Sequence, residues 1–132
     1  MMRILLTEDD DSVRTFVSRA LELDGHDVET ACHGVEALER LTERKGSFDL
    51  LVTDVKMPVM DGIALAHEAA GQWPGLPILL MTGFADQRER AEDLAEVIRD
   101  VVTKPFTLQQ IREAVSEAAA VEDKAESTDK AA

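Results

Sequence analysis

Polar side chains that could do chemistry together follow four short apolar or β-branched runs of this 132-residue chain. In chain order they are Glu8 and Asp9, Asp54, Thr82, and Lys104. Carboxylates that are gathered at one place repel each other unless a cation offsets their charge. Mg²⁺ prefers oxygen ligands and typically binds one or two carboxylates together with water and phosphate oxygens. These residue types therefore predict a magnesium site, provided that the fold brings them together.

Asp54 is the candidate nucleophile of this set. It lies in the segment DLLVTDVKMPVMDG, and we expect it to be presented at the surface rather than buried. An aspartate beside bound Mg²⁺ can accept a phosphoryl group, because the metal offsets the charge of the acceptor and of the incoming oxygens. The Lys104 ammonium could pair with one phosphoryl oxygen and the Thr82 hydroxyl could donate to another, with Gly83 leaving room beside it.

Several of these residues also have simpler interpretations. Thr82 could satisfy a neighbouring backbone group, and a lysine before a proline is commonly a solvated loop residue. A cis Lys104–Pro105 bond would instead turn the lysine inward. Asp10 and Asp11 are interpreted as solvated charges at a helix N-terminus, with Asp11 or Ser12 as the N-cap.

The elements that must position these side chains are alternating strands and helices, the pattern of a parallel sheet flanked by helices. Strands are predicted over residues 4–6, 27–31, 48–52, 78–81 and 100–103. Helices are predicted from about Ser12 to Gly25, then with Val35, Leu38 and Leu41 inward, after Asp61-Gly62, after Asp86, and after Thr107. The first helix is predicted to turn one apolar face inward, made by Val13, Phe16, Val17, Ala20 and Leu21. Asp86 with Glu89 and Thr107 with Gln110 have capping-box spacing. Because parallel strands deliver their carboxyl ends to one edge, the candidate residues should meet there.

Composition excludes several classes of function. The net charge of −13 opposes nucleic-acid phosphates, and no cluster of Lys and Arg offers a local exception. No apolar run approaches the roughly 18 residues of a membrane span, and no export signal is visible, which predicts a cytoplasmic protein. The one cysteine, Cys32, fits a reducing compartment and is interpreted as inert and partly buried. Residues 1–121 are predicted to form one domain and residues 122–132 a disordered tail.

The segments ILLTEDD, DLLVTDVKMPVMDG, LLMTGF and VVTKPF, in this order and spacing, resemble the receiver domain of two-component response regulators. The resemblance covers about residues 2 to 121. It implies a flavodoxin-like, doubly wound sheet of strand order 2-1-3-4-5 with five helices. It also implies a monomer that takes a phosphoryl group from a histidine kinase or a histidine phosphotransfer protein.

The same resemblance assigns roles to residues of this chain. Asp54 is the implied phosphoacceptor, and the Mg²⁺ ligands are Asp9, Asp54, the backbone carbonyl of Lys56, and Glu8 through water. Thr82 is the implied switch hydroxyl and Lys104 the phosphate-contacting lysine. Where receivers commonly carry a switch Tyr or Phe, this chain has Val101, so rotation of an aromatic ring is not expected.

A narrower resemblance concerns output. The segments EDDDSVRTFVSRAL and TGFAD, with the terminal Ala131-Ala132, resemble single-domain cell-cycle receivers of the CpdR type. This implies an adaptor for the ClpXP protease that is active when unphosphorylated. The alternatives are a phosphorelay shuttle and a motor-binding receiver. An aspartyl-phosphate hydrolase is disfavoured, because the proton-donating acid it needs after Asp54 is replaced by Lys56.

The remaining residues of note are interpreted as structural. His26, His33 and His67 show no metal-ligand spacing and are expected to be surface imidazoles away from the carboxyl edge. Trp73 is expected to be the apolar end of the third helix.

Overall fold

The structure is a computed structural model that describes residues 2–57, 59–83 and 98–118. Its elements are β1 (Arg3–Thr7), α1 (Asp11–Leu23), β2 (Asp27–Ala31), α2 (Gly34–Glu43), β3 (Leu50–Asp54), α3 (Gly62–Gln72), β4 (Ile78–Thr82) and β5 (Asp100–Thr103). A C-terminal helix covers residues 108–118. The strands form one parallel sheet of order β2-β1-β3-β4-β5, which confirms the predicted fold. The helix predicted after Asp86 lies outside the described residues.

The sheet is buried on both faces. β3 and β4 are buried along their whole length, as expected for central parallel strands that read as continuous apolar runs. One core cluster joins one face of the sheet to α2 and α3, and a second joins the other face to α1 and the C-terminal helix. Successive side chains of each central strand alternate between the two clusters, since the strand period is two.

Two helical residues that were predicted to point inward are exposed instead. α2 buries Gly34, Ala37 and Leu41, so Val35 lies off that face and is 39% exposed. Phe16 of α1 is 40% exposed, and its ring stacks on that of Phe106 at a centroid distance of 6.3 Å. Phe16 therefore lies at the margin of the core.

One helix start agrees with the sequence-based prediction, and two differ from it. Thr107 Oγ1 accepts from the Gln110 N–H while Gln110 Oε1 accepts from the Thr107 N–H, which confirms that capping box. α3 begins at Gly62, one residue earlier than predicted, directly after its N-cap Asp61. The prediction for α1 was wrong, because the N-cap is Asp10, whose Oδ1 accepts from the backbone N–H groups of Ser12 and Val13.

Close approaches at two glycines fix where strands and helices meet. A Cβ added at Gly62 would lie 2.1 Å from the Asp54 carbonyl oxygen, so α3 starts directly against the end of β3. Gly46, at a φ of +73°, packs so closely against Trp73 that an added Cβ would lie 2.2 Å from the Trp73 ring. Trp73 is the C-cap of α3, which confirms its predicted place.

β3 begins at Leu50 rather than Phe48 and extends through Asp54.

Among the described helices, none has both the length and the apolar character to cross a membrane.

Candidate functional site

Three carboxylates meet at the carboxyl edge of the sheet. Oxygen atoms of Glu8, Asp9 and Asp54 lie within 4.8 Å of one another. The register explains this, because Thr7 pairs with Thr53 across β1 and β3, so Glu8 and Asp54 follow at the same level. Glu8 is fully buried and Asp54 is 5% exposed, which overturns the expectation of a presented aspartate. Asp9 is exposed to solvent.

Lys104 bridges two of these carboxylates. Its Nζ lies 2.6 Å from Glu8 Oε1 and 3.1 Å from Asp54 Oδ1. The backbone holds it there, since the Lys104 N–H donates to the Thr82 carbonyl at 2.6 Å. The Lys104–Pro105 bond is cis. The lysine is therefore turned into the site, and the interpretation as a solvated loop residue does not apply.

The pKa values of the bridge reflect crowding and burial. Burial raises the pKa of Glu8 to about 7, helped by the neighbouring charge of Asp54 and opposed by the hydrogen bond from Lys104. Burial would lower the pKa of Lys104, but its contacts with Glu8 and Asp54 outweigh that effect and raise it. One ammonium thus faces two buried carboxylates and a third, exposed one. Because the carboxylates outnumber the ammonium, the site can accept a further cation.

Three buried oxygen atoms at this edge have no hydrogen-bond partner among the described residues. They are Glu8 Oε2 and the hydroxyls of Thr7 and Thr82, which are the last residues of β1 and β4. Buried polar atoms in proteins are nearly always paired, so these oxygens are available to a ligand. Unpaired carboxylate oxygen in an all-oxygen cluster fits the ligand preference of Mg²⁺.

A cavity of about 410 Å³ opens onto the cluster. Asp9, Asp54, Lys56, Gly83 and Lys104 are among the residues that line it. Lys56 therefore lies beside the carboxylates, as its predicted role requires, and Gly83 adds no side chain to the opening. The structure brings the sequence-predicted residues of the first, third and fifth strand ends to one cavity.

Val101, the residue at the predicted switch position, lies in β5 and is not among the residues that line this cavity. It is half-buried, pairs in register with Leu80, and packs against the cluster that joins the sheet to α2 and α3. An aliphatic side chain of this size fills the core without an aromatic ring.

Two features of the site were missed by sequence reasoning. Phe16 and Phe106 flank a second cavity of about 490 Å³, which shares Val13, Gly83 and Lys104 with the first. Arg14 reaches back from α1, and its Nη1 donates to the Glu8 carbonyl at 2.9 Å. Neither the second cavity nor the Arg14 contact has a local sequence signal, because each depends on how α1 lies against the strand ends.

In the part of the chain that the structure describes, none of the residues that were interpreted as structural joins the carboxylate cluster at the carboxyl edge. His26 Nδ1 accepts from the Met2 N–H, and His67 is exposed. His33 caps α2 through Nδ1, so it lies past the carboxyl end of β2, contrary to the prediction that all three histidines lie away from this edge. Cys32 is exposed rather than partly buried.

Comparison with known proteins identifies the family. A family model described as the response regulator receiver domain matches residues 4–116. The chain belongs to the response regulator receiver family. This receiver is 43% identical over 111 residues to the response regulator receiver protein CpdR of Brucella abortus, covering 84% of this chain and 91% of CpdR. It is also 38% identical to a part of the sensor kinase CckA of the same organism, over 86% of this chain and 12% of the kinase.

Solved structures of receivers have the same fold. The chemotaxis response regulator CheY4 of Vibrio cholerae matches with a TM-score of 0.79 and 31% identity, over 89% of this receiver and 98% of that chain. A receiver domain protein from Clostridium thermocellum matches with a TM-score of 0.84 and 28% identity, over 93% and 98% of the two chains. The sequence-based resemblance to receivers is confirmed.

Proposed function

We propose that this receiver accepts a phosphoryl group on Asp54 from a phosphohistidine of a partner protein and signals by binding another protein. The observation that carries the proposal is the bridge of Lys104 to Glu8 and Asp54, beside the exposed carboxylate of Asp9. A surface ion pair forms without burying its carboxylates. Two buried carboxylates beside one lysine are, by contrast, expected of a site that binds a metal ion and a phosphoryl group.

The residues that would hold Mg²⁺ are Asp9, Asp54, the backbone carbonyl of Lys56, and Glu8 through water. Bound Mg²⁺ supplies positive charge that offsets the acceptor carboxylate and the phosphoryl oxygens. The chain itself supplies the nucleophile and a cation for the product. Lys104 Nζ already lies within 3.1 Å of Asp54 Oδ1, where it can pair with an oxygen of the attached phosphoryl group.

The proposed transfer forms a bond between a carboxylate oxygen of Asp54 and phosphorus. The bond from phosphorus to the donor histidine nitrogen breaks, and its electron pair remains on that nitrogen. With acetyl phosphate as donor, the pair remains on the acetate oxygen. The unpaired Thr82 hydroxyl is the proposed switch, because it can donate to a phosphoryl oxygen that the free protein lacks.

The experiment is phosphorylation by acetyl phosphate, followed by the intact mass of the protein. Wild type with Mg²⁺ should gain one phosphoryl group, whereas Asp54→Asn, or wild type in EDTA, should gain none. Asp49→Asn is the matched control, because Asp49 is an exposed aspartate just before the same strand. Equal phosphorylation of wild type and Asp54→Asn would contradict the proposal.

The proposed donor is a histidine kinase or a histidine phosphotransfer protein. The similarity to part of the sensor kinase CckA supports a kinase-linked pathway. For output, we propose the role that the CpdR-type resemblance implies, an adaptor that primes the ClpXP protease when Asp54 is unphosphorylated. The similarity to CpdR over most of both chains supports this choice over a phosphorelay shuttle.

The adaptor role is tested in a purified ClpXP assay. Asp54→Ala should retain protease binding in the presence of a phosphodonor, while wild type should lose it. A variant carrying Ala131→Asp with Ala132→Asp should keep adaptor binding but resist its own degradation. If none of these proteins binds ClpXP or changes its turnover of a substrate, the adaptor role is wrong, and transfer to a histidine phosphotransfer protein would then support the shuttle.

A further inference from the structure

The segment that carries Asp9 is held at its ends but not at Asp9 itself. The Glu8 N–H donates to the Ala31 carbonyl at 3.1 Å, and Asp10 caps α1. Among the described residues, the Asp9 carboxylate has no hydrogen bond or ion pair. Its position is therefore set by the peptide units on either side of it.

Arg14 holds the peptide unit that precedes Asp9. Its Nη1 donates to the Glu8 carbonyl at 2.9 Å, and this carbonyl shares one rigid plane with the Asp9 backbone nitrogen. Its Nη2 pairs with Asp11 Oδ1, so the guanidinium spans the strand-to-helix connection. The Arg14 side chain is only 18% exposed, which limits the alternatives open to it.

This contact is not needed to start α1. The Asp10 carboxylate already accepts from the first free N–H groups, and the helix is anchored in the core by Val17, Ala20 and Leu21. What Arg14 adds is the orientation of the peptide that leads into Asp9. A planar guanidinium can bind a carbonyl and a carboxylate at once in a fixed geometry, which an ammonium cannot reproduce.

We propose that Arg14 is a positioning residue for Mg²⁺ binding, acting by orienting the Glu8–Asp9 peptide so that the Asp9 carboxylate faces Asp54. The inference rests on the proposed function, since it assumes that Asp9 binds Mg²⁺. Arg14 does not touch the metal. Its positive charge by itself disfavours a nearby cation, so any gain in Mg²⁺ affinity from Arg14 has to come from geometry.

The test is therefore Arg14→Lys, which keeps the charge and removes the fork. Arg19→Lys is the matched control, because Arg19 is an exposed arginine of the same helix without a hydrogen bond or ion pair among the described residues. Mg²⁺ binding is measured by isothermal titration on the metal-free proteins. Arg14→Lys should weaken binding roughly ten-fold, as is typical when a contact behind a metal ligand is lost. Arg19→Lys should bind as wild type does.

A second measurement separates positioning from a general structural role. The rate of phosphorylation by acetyl phosphate is followed as Mg²⁺ is raised. Arg14→Lys should need more Mg²⁺ to reach half of its maximal rate, and the maximal rate at saturating Mg²⁺ should match that of wild type. Unchanged Mg²⁺ affinity in Arg14→Lys, or a lower maximal rate at unchanged affinity, would overturn the inference and leave the proposed function standing. Failure of wild type to bind Mg²⁺ would overturn both.

Discussion

Both edges of the sheet bring basic and acidic side chains together, but the amino edge leaves them exposed and the carboxyl edge buries them. At the amino edge, Arg3 Nε lies 3.6 Å from Asp27 Oδ2, and these side chains are 46% and 59% exposed. At the carboxyl edge, Lys104 is 24% exposed, while the side chains of Glu8 and Asp54 are 0% and 7% exposed. The first cluster is in water, and the second is largely removed from it.

This difference shows why one cluster is a candidate site and the other is not. Exposed ion pairs contribute little to stability, and they form readily wherever opposite charges meet on a surface. Buried charges cost free energy unless each is paired, and the carboxyl edge leaves Glu8 Oε2 unpaired among the described residues. A fold retains such an arrangement where a ligand makes use of it.

The largest effect is expected from removing the cation of the buried cluster. Without Mg²⁺, Lys104→Met should lower the free energy of unfolding by about 3 kcal/mol, because the two carboxylates then lack their counter-charge. Urea unfolding measures this. Mg²⁺ should restore part of the loss, since the metal ligands remain. A change below about 0.5 kcal/mol would mean that the bridge is no stronger than a surface pair.

The buried carboxyl edge should also make the stability of the protein depend on pH. The pKa of Glu8 is raised from 4.5 to about 7 in the folded protein. Its contribution is therefore fully present below pH 4.5 and is lost as the pH rises through about 7, by about 3 kcal/mol in total. Unfolding of metal-free wild type minus that of Glu8→Gln should show this decline. A difference that stays constant from pH 4.5 to 7 would contradict the shift.

A third prediction concerns the packing that supports the buried edge. Gly62→Ala should destabilise the protein by about 2 kcal/mol and slow phosphorylation, because its Cβ would collide with the Asp54 carbonyl. Gly71→Ala is the control in the same helix, since nothing lies within 4 Å of its added Cβ. That variant should be more stable by about 0.5–1 kcal/mol, given the low helix propensity of glycine. Equal effects of the two variants would show that the close approach at Gly62 is unimportant.

The smallest effect is expected at the amino edge. Arg3→Met should change the free energy of unfolding by less than about 1 kcal/mol, because its ion pair is exposed. Phosphorylation by acetyl phosphate should be unaffected. A loss as large as that of Lys104→Met would remove the distinction between the two edges.

How far the sequence predicted the site depends on what places each residue. Asp54 and Lys104 follow apolar strands directly, so strand direction alone brings them to one edge, and the strand order followed from the family resemblance. The burial of Asp54 could not be predicted, because it depends on Lys104 and Glu8 closing over it from other strands. The N-cap was assigned to Asp11 or Ser12 rather than Asp10, since neighbouring acidic residues have similar capping propensities. The contact of Arg14 with Glu8 depends on the path of the chain between β1 and α1, which residue types do not encode.

Chemical location of the phosphoryl group tests the role of Asp54 most directly. After reaction with acetyl phosphate and Mg²⁺, borohydride reduces an aspartyl phosphate to homoserine, and peptide sequencing by mass spectrometry identifies the reduced position. We expect homoserine at position 54 and at no other aspartate. Reduction at Asp9, or at an exposed aspartate such as Asp27, with Asp54 intact would contradict this expectation.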